Sequence, residues 1–365
     1  MKEIELKTKG ELKRLTNKTF KFDQRVENGW FSAVYFLKTK EIVEEYCPEN
    51  EVVMQFFQRS EAVLCGTDEV IALIKECATK PEELEIYSLH DGDKISPFET
   101  VLTIKGNYQN FGYLEGVIDG ILARRTSVAT NVYNVVKAAA SAGVQKPVIF
   151  MGDRDDHFSQ QAGDGYAAYV GGATAQATHA MNEWWGKEGM GTMPHALIQL
   201  FNGDIVEATK AYCKKFPQDE LVALVDYNND VITDSLKVAR EFGNRLKGVR
   251  LDTSRTLIDK YFLRNQHVLG TFDPRGVNAE LIFALRKALD DEGYHHVRIV
   301  ASGGFTVKRI EEFEKNGVPV DMYGIGSSLL KINIGFTGDN VMLNGKPQSK
   351  EGRQYWPNLR LKKVE

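Results

Sequence analysis

The chain has 365 residues, of which 42% are hydrophobic and 26% are charged, so it can bury a full core and is not intrinsically disordered. Its length predicts one large domain with a smaller companion, or two ordinary domains. The net charge is -4, and basic residues are spread along the sequence, which argues against a nucleic-acid-binding protein.

Neither a membrane segment nor a cysteine site is predicted. No apolar run approaches the roughly 20 residues that span a bilayer, and the start, Met1 to Glu5, lacks a signal-peptide core. We therefore expect a cytoplasmic protein. The cysteines show no CxxC spacing and no adjacent histidine, so we predict reduced thiols and not disulfides, a zinc site or a nucleophile; they are Cys47, Cys65, Cys77 and Cys213.

Residues 1–112 predict a small α+β domain. An aromatic segment at residues 29–36 precedes a helix-like stretch, and short alternating runs such as Glu51–Phe57 are typical of strands. Gly92 and Pro97 mark turns in the strand-like sequence that follows.

Residues 113–335 predict an α/β barrel. Helical apolar spacing over residues 113–142 leads into five apolar runs, each ending in charged, hydroxyl or glycine residues: 147–154, 221–226, 246–252, 297–304 and 320–327. Crossover helices are predicted at 230–242, 278–292 and 306–315. Alternation of strand and helix indicates parallel pairing, so the fold class is α/β.

Residues 336–365 form the third predicted segment. A hairpin signal, Asn344-Gly345, lies within it, and nothing in it resembles the barrel pattern. We expect this tail to fold back onto the N-terminal domain.

Polar residues just past the barrel strands are the candidates for chemistry, because such residues line the mouth of a parallel barrel. Two glycine-rich turns each follow a strand and precede a helix, where backbone N–H groups can approach an anion closely. Tight turns that merely need glycine are the alternative, but two turns on consecutive strands favour phosphate binding. The phosphate-binding candidates are Ser302, Gly303, Gly304, Gly324, Gly326 and Ser327.

Charged residues follow the other strands. Arg154 can hold a carboxylate or phosphate in a bidentate geometry, and of Arg124 and Arg125, near a helix end, we expect one to be structural. Asp226 and Asp252 occupy equivalent strand ends, where carboxylates could hold Mg²⁺ or stabilise positive charge on a sugar. Helix capping is the alternative for either aspartate alone.

His195 lies in the turn Gly191-Thr-Met-Pro-His195. A nucleophilic histidine presents one ring nitrogen while an acceptor holds the other, but the residues alone favour an ordinary hydrogen-bonding role. The remaining candidates, His157, His179, His295 and His296, have no constellation around them and are interpreted as structural.

Six motifs occur in a characteristic order: Tyr35-Phe-Leu-Lys-Thr39, Arg125-Thr-Ser with Ala129-Thr-Asn131, Gly191-Thr-Met-Pro-His195, Val249-Arg-Leu-Asp252, Ala301-Ser-Gly-Gly304 and Tyr323-Gly-Ile-Gly-Ser327. Their combination resembles the nicotinate phosphoribosyltransferases, a type II phosphoribosyltransferase family, over nearly the whole chain. Two departures stand out: Asp155 takes the place of a second arginine, and Lys38 and Thr39 stand where relatives often have arginine.

The resemblance implies an irregular, TIM-like barrel with an N-terminal α+β domain, in a homodimer that shares its active sites. It implies a reaction of NAD salvage in which nicotinate and phosphoribosyl pyrophosphate give nicotinate mononucleotide and pyrophosphate. Mg²⁺ is expected with phosphoribosyl pyrophosphate and ATP. Enzymes of this kind hydrolyse ATP through a phosphohistidine, which reverses the interpretation of His195.

Carried over by position, the resemblance implies roles for the candidate residues. Tyr35 or Phe36, from the neighbouring subunit, would stack on the pyridine ring. Arg125 and Arg154 would hold the nicotinate carboxylate or pyrophosphate, and Thr192 would bind substrate. Asp226 and Asp252 would face the ribose, Mg²⁺ and pyrophosphate, and the two glycine-rich turns would hold the 5′-phosphate.

Three alternatives stay open. Quinolinate phosphoribosyltransferases bind a substrate that carries two carboxylates, and they need no phosphorylated histidine. A nicotinamide-specific enzyme would prefer an acidic partner for the amide, which residues 153–156 could supply. A barrel that binds phosphorylated sugars without turnover is the third, because one fold hosts many functions.

Overall fold

The computed structural model describes residues 14–15 and 17–365, so residues 1–13 and 16 of the predicted 1–112 domain lie outside it. The helices are α1 Val34–Tyr46, α2 Thr67–Cys77, α3 Glu115–Ala139, α4 Gln161–Val170, α5 His195–Leu200, α6 Ile205–Lys215, α7 Val231–Phe242, α8 Lys260–Arg264, α9 Ala279–Asp291 and α10 Val307–Lys315. The strands are β1 Glu51–Phe57, β2 Ala62–Val63, β3 Glu85–Ser88, β4 Lys94–Ile95, β5 Leu102–Asn107, β6 Val148–Phe150, β7 Ala175–Gln176, β8 Leu221–Leu224, β9 Leu246–Leu251, β10 Arg298–Ala301, β11 Met322–Ile325, β12 Thr337–Leu343, β13 Lys346–Pro347 and β14 Lys362–Lys363.

Two compact units divide the chain. One contains the described residues up to 133 together with 160–172 and 330–365, and the other contains 134–159 and 173–329. We call them the antiparallel unit and the barrel unit after their sheets. Among the described helices, none combines the length and apolar character needed to cross a membrane.

The antiparallel unit is built on a six-stranded sheet with the order β13-β12-β1-β5-β3-β14. Strand β1 is central because its apolar side chains, including Met54 and Phe56, are fully buried in the core, each burial worth roughly 1.5–3 kcal/mol. On one side β1 pairs with β5, and on the other with β12 from the C-terminal segment. The predicted return of the tail to the N-terminal domain is confirmed.

The predicted hairpin joins β12 to β13. Asn344 and Gly345 have φ values of 47° and 75°, the left-handed pair that a two-residue type I′ turn requires. Asn344 also accepts a hydrogen bond from Glu51 N through its side-chain oxygen at 2.9 Å, which ties the turn to the start of β1.

The barrel unit contains a six-stranded sheet with the order β7-β6-β11-β10-β9-β8, and every described pair in it is parallel. Five strands lie within the five predicted apolar runs, and α7, α9 and α10 lie at the predicted crossovers. The sixth strand, β7, has only two residues, too few to produce a recognisable pattern. The predicted fold class, an α/β barrel with an antiparallel α+β domain, is confirmed as a parallel half-barrel and an antiparallel sheet.

Parallel pairing places the carboxyl ends of these strands along one edge of the sheet. Ala301, at the end of β10, lies opposite Leu251 of β9 and Tyr323 of β11, and Ile325 lies opposite Phe150 of β6. The residues that follow each strand are therefore brought together from distant parts of the sequence.

Candidate active site

The carboxyl edge of the parallel sheet carries a continuous row of side chains. At the end of β11, a Cβ added to Gly324 would lie 2.8 Å from Met151 Sδ and 3.2 Å from Ser302 Cβ, so three strand ends are in close contact there. The Ser302 hydroxyl donates to Asp252 Oδ1 at 2.9 Å. Asp252 in turn lies close enough to Asp226 to raise the pKa of the Asp226 carboxyl.

His195 lies next in this row, as the first residue of α5. Its Nε2 is 3.1 Å from Asp226 Oδ1, and the side chains are 46% and 5% exposed, respectively. Burial raises the pKa of the Asp226 carboxyl. The nearby Asp252 carboxylate adds to this increase, whereas His195 opposes it. Within the described chain no group bonds Nδ1, so one ring nitrogen is held by an acceptor and the other is available. This is the geometry that a nucleophilic histidine needs.

Buried polar atoms surround the same edge. The hydroxyls of Thr192 and Thr253 have no hydrogen-bond partner among the residues described, although Thr253 is only 2% exposed. Buried hydroxyls are normally bonded in folded proteins, so both are suited to bind a ligand or water.

Arg250, inside β9, was missed as a separate candidate although it belongs to the Val249-Arg-Leu-Asp252 motif. Its Nη2 donates to Met193 O at 3.1 Å, and its Nη1 lies 3.9 Å from Met151 Sδ. The guanidinium therefore links the His195 turn to the end of β6. A basic residue near the end of a barrel strand, two positions before the strand-end Asp252, is the sequence signal that could have revealed it.

The two glycine-rich turns differ in why they need glycine. Gly303 and Gly304 have φ values of 90° and 72°, a left-handed backbone that costs most other residues about 1 kcal/mol each. At Gly326 the reason is space, because an added Cβ would lie 2.8 Å from Met151 O and overlap the Asp155 carboxylate. Ser327 follows as an exposed residue at the start of a short 3₁₀ turn, Ser327–Leu329.

Arg154 lies in the loop after β6 and is exposed. No described carboxylate pairs with its guanidinium, in contrast to Arg124 and Arg125 of the antiparallel unit. Its predicted role in binding an anionic group stays a prediction, and its exposure leaves it available for that role.

Arg125 lies in the antiparallel unit, in a buried ion-pair network. Its Nε donates to Glu69 Oε2 at 2.8 Å and its Nη1 to Asp164 Oδ1 at 2.9 Å, and Arg124 pairs with the same Asp164 at 2.7 Å. Burial opposes the charge of Arg125, but the two carboxylates outweigh it and hold its pKa above the ordinary value. The structure thus gives Arg125 internal partners, and anion binding by it stays a prediction.

Tyr35 and Phe36 start α1 in the antiparallel unit and differ in exposure. Phe36 is 8% exposed and packs in the core, whereas Tyr35 is 65% exposed. Only the Tyr35 ring is free to stack on a ligand, which the sequence alone did not distinguish.

Two carboxylates at the sheet edge are the candidates for holding the expected Mg²⁺. No group of three or more histidine, cysteine, aspartate or glutamate residues has metal-binding spacing in the described part of the chain. Asp226 and Asp252 nevertheless offer the one or two carboxylates with which proteins commonly hold Mg²⁺ that is also bound by substrate phosphates and water. The residues fit an ion that arrives with a phosphorylated substrate.

Comparison with known proteins gave matches in sequence. The family described as quinolinate phosphoribosyl transferase, N-terminal domain, matches residues 34–126. The nicotinate phosphoribosyltransferase of Bacillus subtilis is 25% identical over 252 residues, covering 67% of this chain and 45% of that protein. Nicotinate phosphoribosyltransferase pncB1 of Mycobacterium tuberculosis is 27% identical over 249 residues, covering 66% and 48%. The chain thus spans about half the length of the curated relatives it matches.

Solved structures match over most of the chain. The nicotinate-nucleotide pyrophosphorylase of Pyrococcus furiosus superimposes with a TM-score of 0.77 at 29% identity, covering 92% of this chain and 80% of that one. Human nicotinic acid phosphoribosyltransferase gives a TM-score of 0.65 at 16% identity, covering 87% and 75%, and shows the shared fold alone. These findings confirm the resemblance to the type II phosphoribosyltransferases.

Proposed function

We propose that this chain, which resembles the type II phosphoribosyltransferases in sequence and fold, is a nicotinate phosphoribosyltransferase of NAD salvage. It forms nicotinate mononucleotide and pyrophosphate and couples the reaction to ATP hydrolysis through a phosphohistidine at His195. The observation that carries the proposal is the continuous row at the carboxyl edge of the parallel sheet, from the glycine turns through Ser302, Asp252 and Asp226 to His195. The names of the sequence relatives support the choice of nicotinate.

In the transfer step, the nicotinate ring nitrogen forms a bond to C1 of the ribose while the bond from C1 to the pyrophosphate oxygen breaks, and its electron pair leaves with pyrophosphate. Positive charge develops on the ribose in the transition state. Asp252, held by the Ser302 hydroxyl, supplies a fixed negative charge for it. Mg²⁺ bound with phosphoribosyl pyrophosphate would neutralise charge on the leaving group.

In the coupling step, the Asp226 carboxylate accepts a hydrogen bond from Nε2–H of His195, so that the lone pair lies on Nδ1. Nδ1 then attacks the γ-phosphorus of ATP, a P–N bond forms, and the bond to the ADP oxygen breaks. Water later cleaves the P–N bond and releases phosphate. A phosphohistidine would favour the conformation that binds phosphoribosyl pyrophosphate.

We also propose the homodimer that the sequence led us to expect. Large apolar side chains lie exposed on α1 and just before it: Trp30 is 71% exposed, Val34 64%, Tyr35 65%, Ile42 57% and Tyr46 74%. Large apolar side chains exposed along one helix are typical of protein interfaces. In the dimer, Tyr35 of one subunit would stack on the pyridine ring bound by its partner. The cytoplasmic location stays an expectation.

A quinolinate phosphoribosyltransferase is the second candidate function. The match of residues 34–126 to the quinolinate phosphoribosyl transferase N-terminal domain favours it, as does the likeness to the Pyrococcus furiosus nicotinate-nucleotide pyrophosphorylase. The paired His195 and Asp226 favour the nicotinate enzyme, because quinolinate transfer needs no phosphorylated histidine.

One assay separates these functions. The purified protein is incubated with phosphoribosyl pyrophosphate and Mg²⁺, with nicotinate, quinolinate or nicotinamide, and with or without ATP, while pyrophosphate and mononucleotide are measured. We expect product from nicotinate, increased by ATP. Product from quinolinate alone, independent of ATP, would establish the second candidate, and product from nicotinamide alone would establish the amide-specific alternative. No pyrophosphate release with any ring would indicate a binding protein.

A further inference from the structure

Arg309, in the first turn of α10, is held in place by the glycine turn and by two aromatic rings. Its Nη1 donates to Gly303 O at 3.3 Å, and its Nη2 donates to Val277 O. The guanidinium lies 4.5 Å from the ring centre of Phe305 and 5.6 Å from that of Phe313. These contacts fix both the plane and the position of the guanidinium, so Arg309 cannot move without releasing the Gly303 carbonyl.

Arg255, in the loop after β9, contacts the same turn from the solvent side. Its Nη2 donates to Gly304 O, and a Cβ added to Gly304 would lie 2.7 Å from its Nε. The residue is exposed, and this carbonyl is its sole bonding partner in the part of the chain that the structure describes. Unlike Arg309, it can exchange its neutral acceptor for a charged one without disturbing the fold.

The two arginines place positive charge at the turn without a direct carboxylate partner among the described residues. Among the described residues, neither guanidinium pairs with a carboxylate, and the N–H groups of Gly303 and Gly304 have no acceptor. Burial lowers the pKa of Arg309 and the neighbouring positive charge of Arg255 adds to this, with Glu312 opposing it. The two positive charges at this turn repel each other. A bound dianion would offset this repulsion and accept hydrogen bonds from the N–H groups of the turn.

We propose that Arg255 and Arg309 form a clamp for a phosphate group at the Gly303-Gly304 turn, in which Arg309 is a positioning residue and Arg255 binds the anion directly. Arg309 turns the Gly303 carbonyl away so that the N–H groups of the turn face the ligand. Arg255 leaves the Gly304 carbonyl to form a charge-assisted bond, which is stronger. The inference rests on the proposed function for the identity of the phosphate, either the 5′-phosphate of the ribose or the pyrophosphate.

Binding is measured by calorimetry on the full chain with ribose 5-phosphate and with pyrophosphate, so that turnover is not required. We expect Arg255→Gln to weaken one ligand roughly 10- to 100-fold and Arg255→Lys to restore part of the loss. Arg309→Gln should weaken the same ligand, and Arg309→Lys should not restore it, because an ammonium lacks the planar fork that holds two carbonyls. The control is Arg298→Gln, which removes an exposed ion pair with Glu220 in the same unit.

Kinetics separate positioning from a general loss of structure. Arg309→Lys, which keeps the charge and is the variant better suited to fold, should raise KM for phosphoribosyl pyrophosphate while KM for nicotinate and the melting temperature remain as in the Arg298→Gln control. Wild-type affinity of both ligands for Arg255→Gln, or wild-type binding by Arg309→Lys, would overturn the clamp. If the variants lose ligand binding but the wild type forms no nucleotide, the clamp stands and the proposed transferase function is refuted.

Discussion

At the scale of single residues, the pairing of His195 with Asp226 determines which ring nitrogen is engaged within the protein. The buried carboxylate lies 3.1 Å from Nε2, the side chain of His195 is half-exposed, and Nδ1 has no hydrogen-bond partner among the described residues. A charge-assisted contact of this kind fixes both the tautomer and the orientation of an imidazole. In the proposed coupling step, this arrangement would direct the phosphoryl group to Nδ1.

Substitution of His195 tests this role. His195→Ala should abolish ATP consumption, so that ATP no longer stimulates the transfer reaction. Some basal formation of nicotinate mononucleotide should remain, because the two glycine-rich turns and Asp252 are unchanged. The measurement is the ratio of ADP to mononucleotide formed, with His267→Ala, an exposed histidine of the same unit, as the control. ATP hydrolysis that continues in step with product in His195→Ala would show that another residue accepts the phosphoryl group.

Residue identities were easier to predict than residue contacts. Asp252, Ser302 and the glycines could be selected because strand ends in a parallel barrel converge, a rule that needs only the position of each strand. Arg255 and Arg309 could not, since their partners are backbone carbonyl groups, which leave no mark in a sequence. The exposure of Tyr35 and burial of Phe36 likewise depend on how α1 packs.

At the scale of elements, Arg125 joins three helices of the antiparallel unit. Arg125 lies on α3, Glu69 on α2 and Asp164 on α4, and the guanidinium packs flat against Gly163 of α4. A buried charge held by two carboxylates is costly to disturb, because the partner left behind remains uncompensated.

Gly163→Ala should therefore destabilise the protein. The added methyl group would overlap the Arg125 guanidinium and force it away from its carboxylates, at a cost of about 1–3 kcal/mol in the free energy of unfolding. Urea denaturation measures the change. The matched control is Gly120→Ala on α3, where an added Cβ meets no atom within 4 Å and should stabilise the helix by up to about 1 kcal/mol. Equal stability of the two variants would contradict this role of the network.

The contact of α3 with β12 predicts a dependence of stability on pH. Burial raises the pKa of Glu115 to about 8 and that of Asp119 to about 7, and in each case nearby carboxylates add to the shift. Asp339 on β12 is one of these, and the positive charges of Arg353, Arg59 and Lys350 face it. Because the folded chain binds these protons more tightly than the unfolded chain, the stabilisation is complete below about pH 4 and is lost as the pH rises through about 7 to 8.

Glu115→Gln should remove this dependence in part. At pH 9 the neutral amide avoids the buried charge and should raise the free energy of unfolding by on the order of 1–2 kcal/mol, whereas at pH 4 it should have little effect. Denaturation curves at the two pH values, with Glu82→Gln as an exposed control, provide the comparison. A gain of the same size at both pH values would point to packing and not to charge.

At the scale of the whole molecule, the sheet of the antiparallel unit is assembled from both ends of the chain. Strand β1 is hydrogen-bonded to β12 along its length, from the Val52–Leu343 pair to the Phe57–Thr337 pair. The sequence predicted that the tail would return but not which strand it would meet, because the register depends on side-chain packing that no local pattern encodes. The central position of β1 therefore exists only when the C-terminal segment is present.

A chain that ends at residue 335 should consequently lose the fold of the antiparallel unit. Removal of β12 converts β1 into an edge strand, paired only with β5, and leaves the backbone groups on its other side free to pair with another chain. We expect aggregation and loss of cooperative melting, measured by light scattering and circular dichroism. A chain that ends at residue 358 loses only β14, which pairs with β3 at two positions, and should remain folded. If the shorter chain melts as cooperatively as the longer one, β12 is dispensable and the sheet is completed by the N-terminal residues alone.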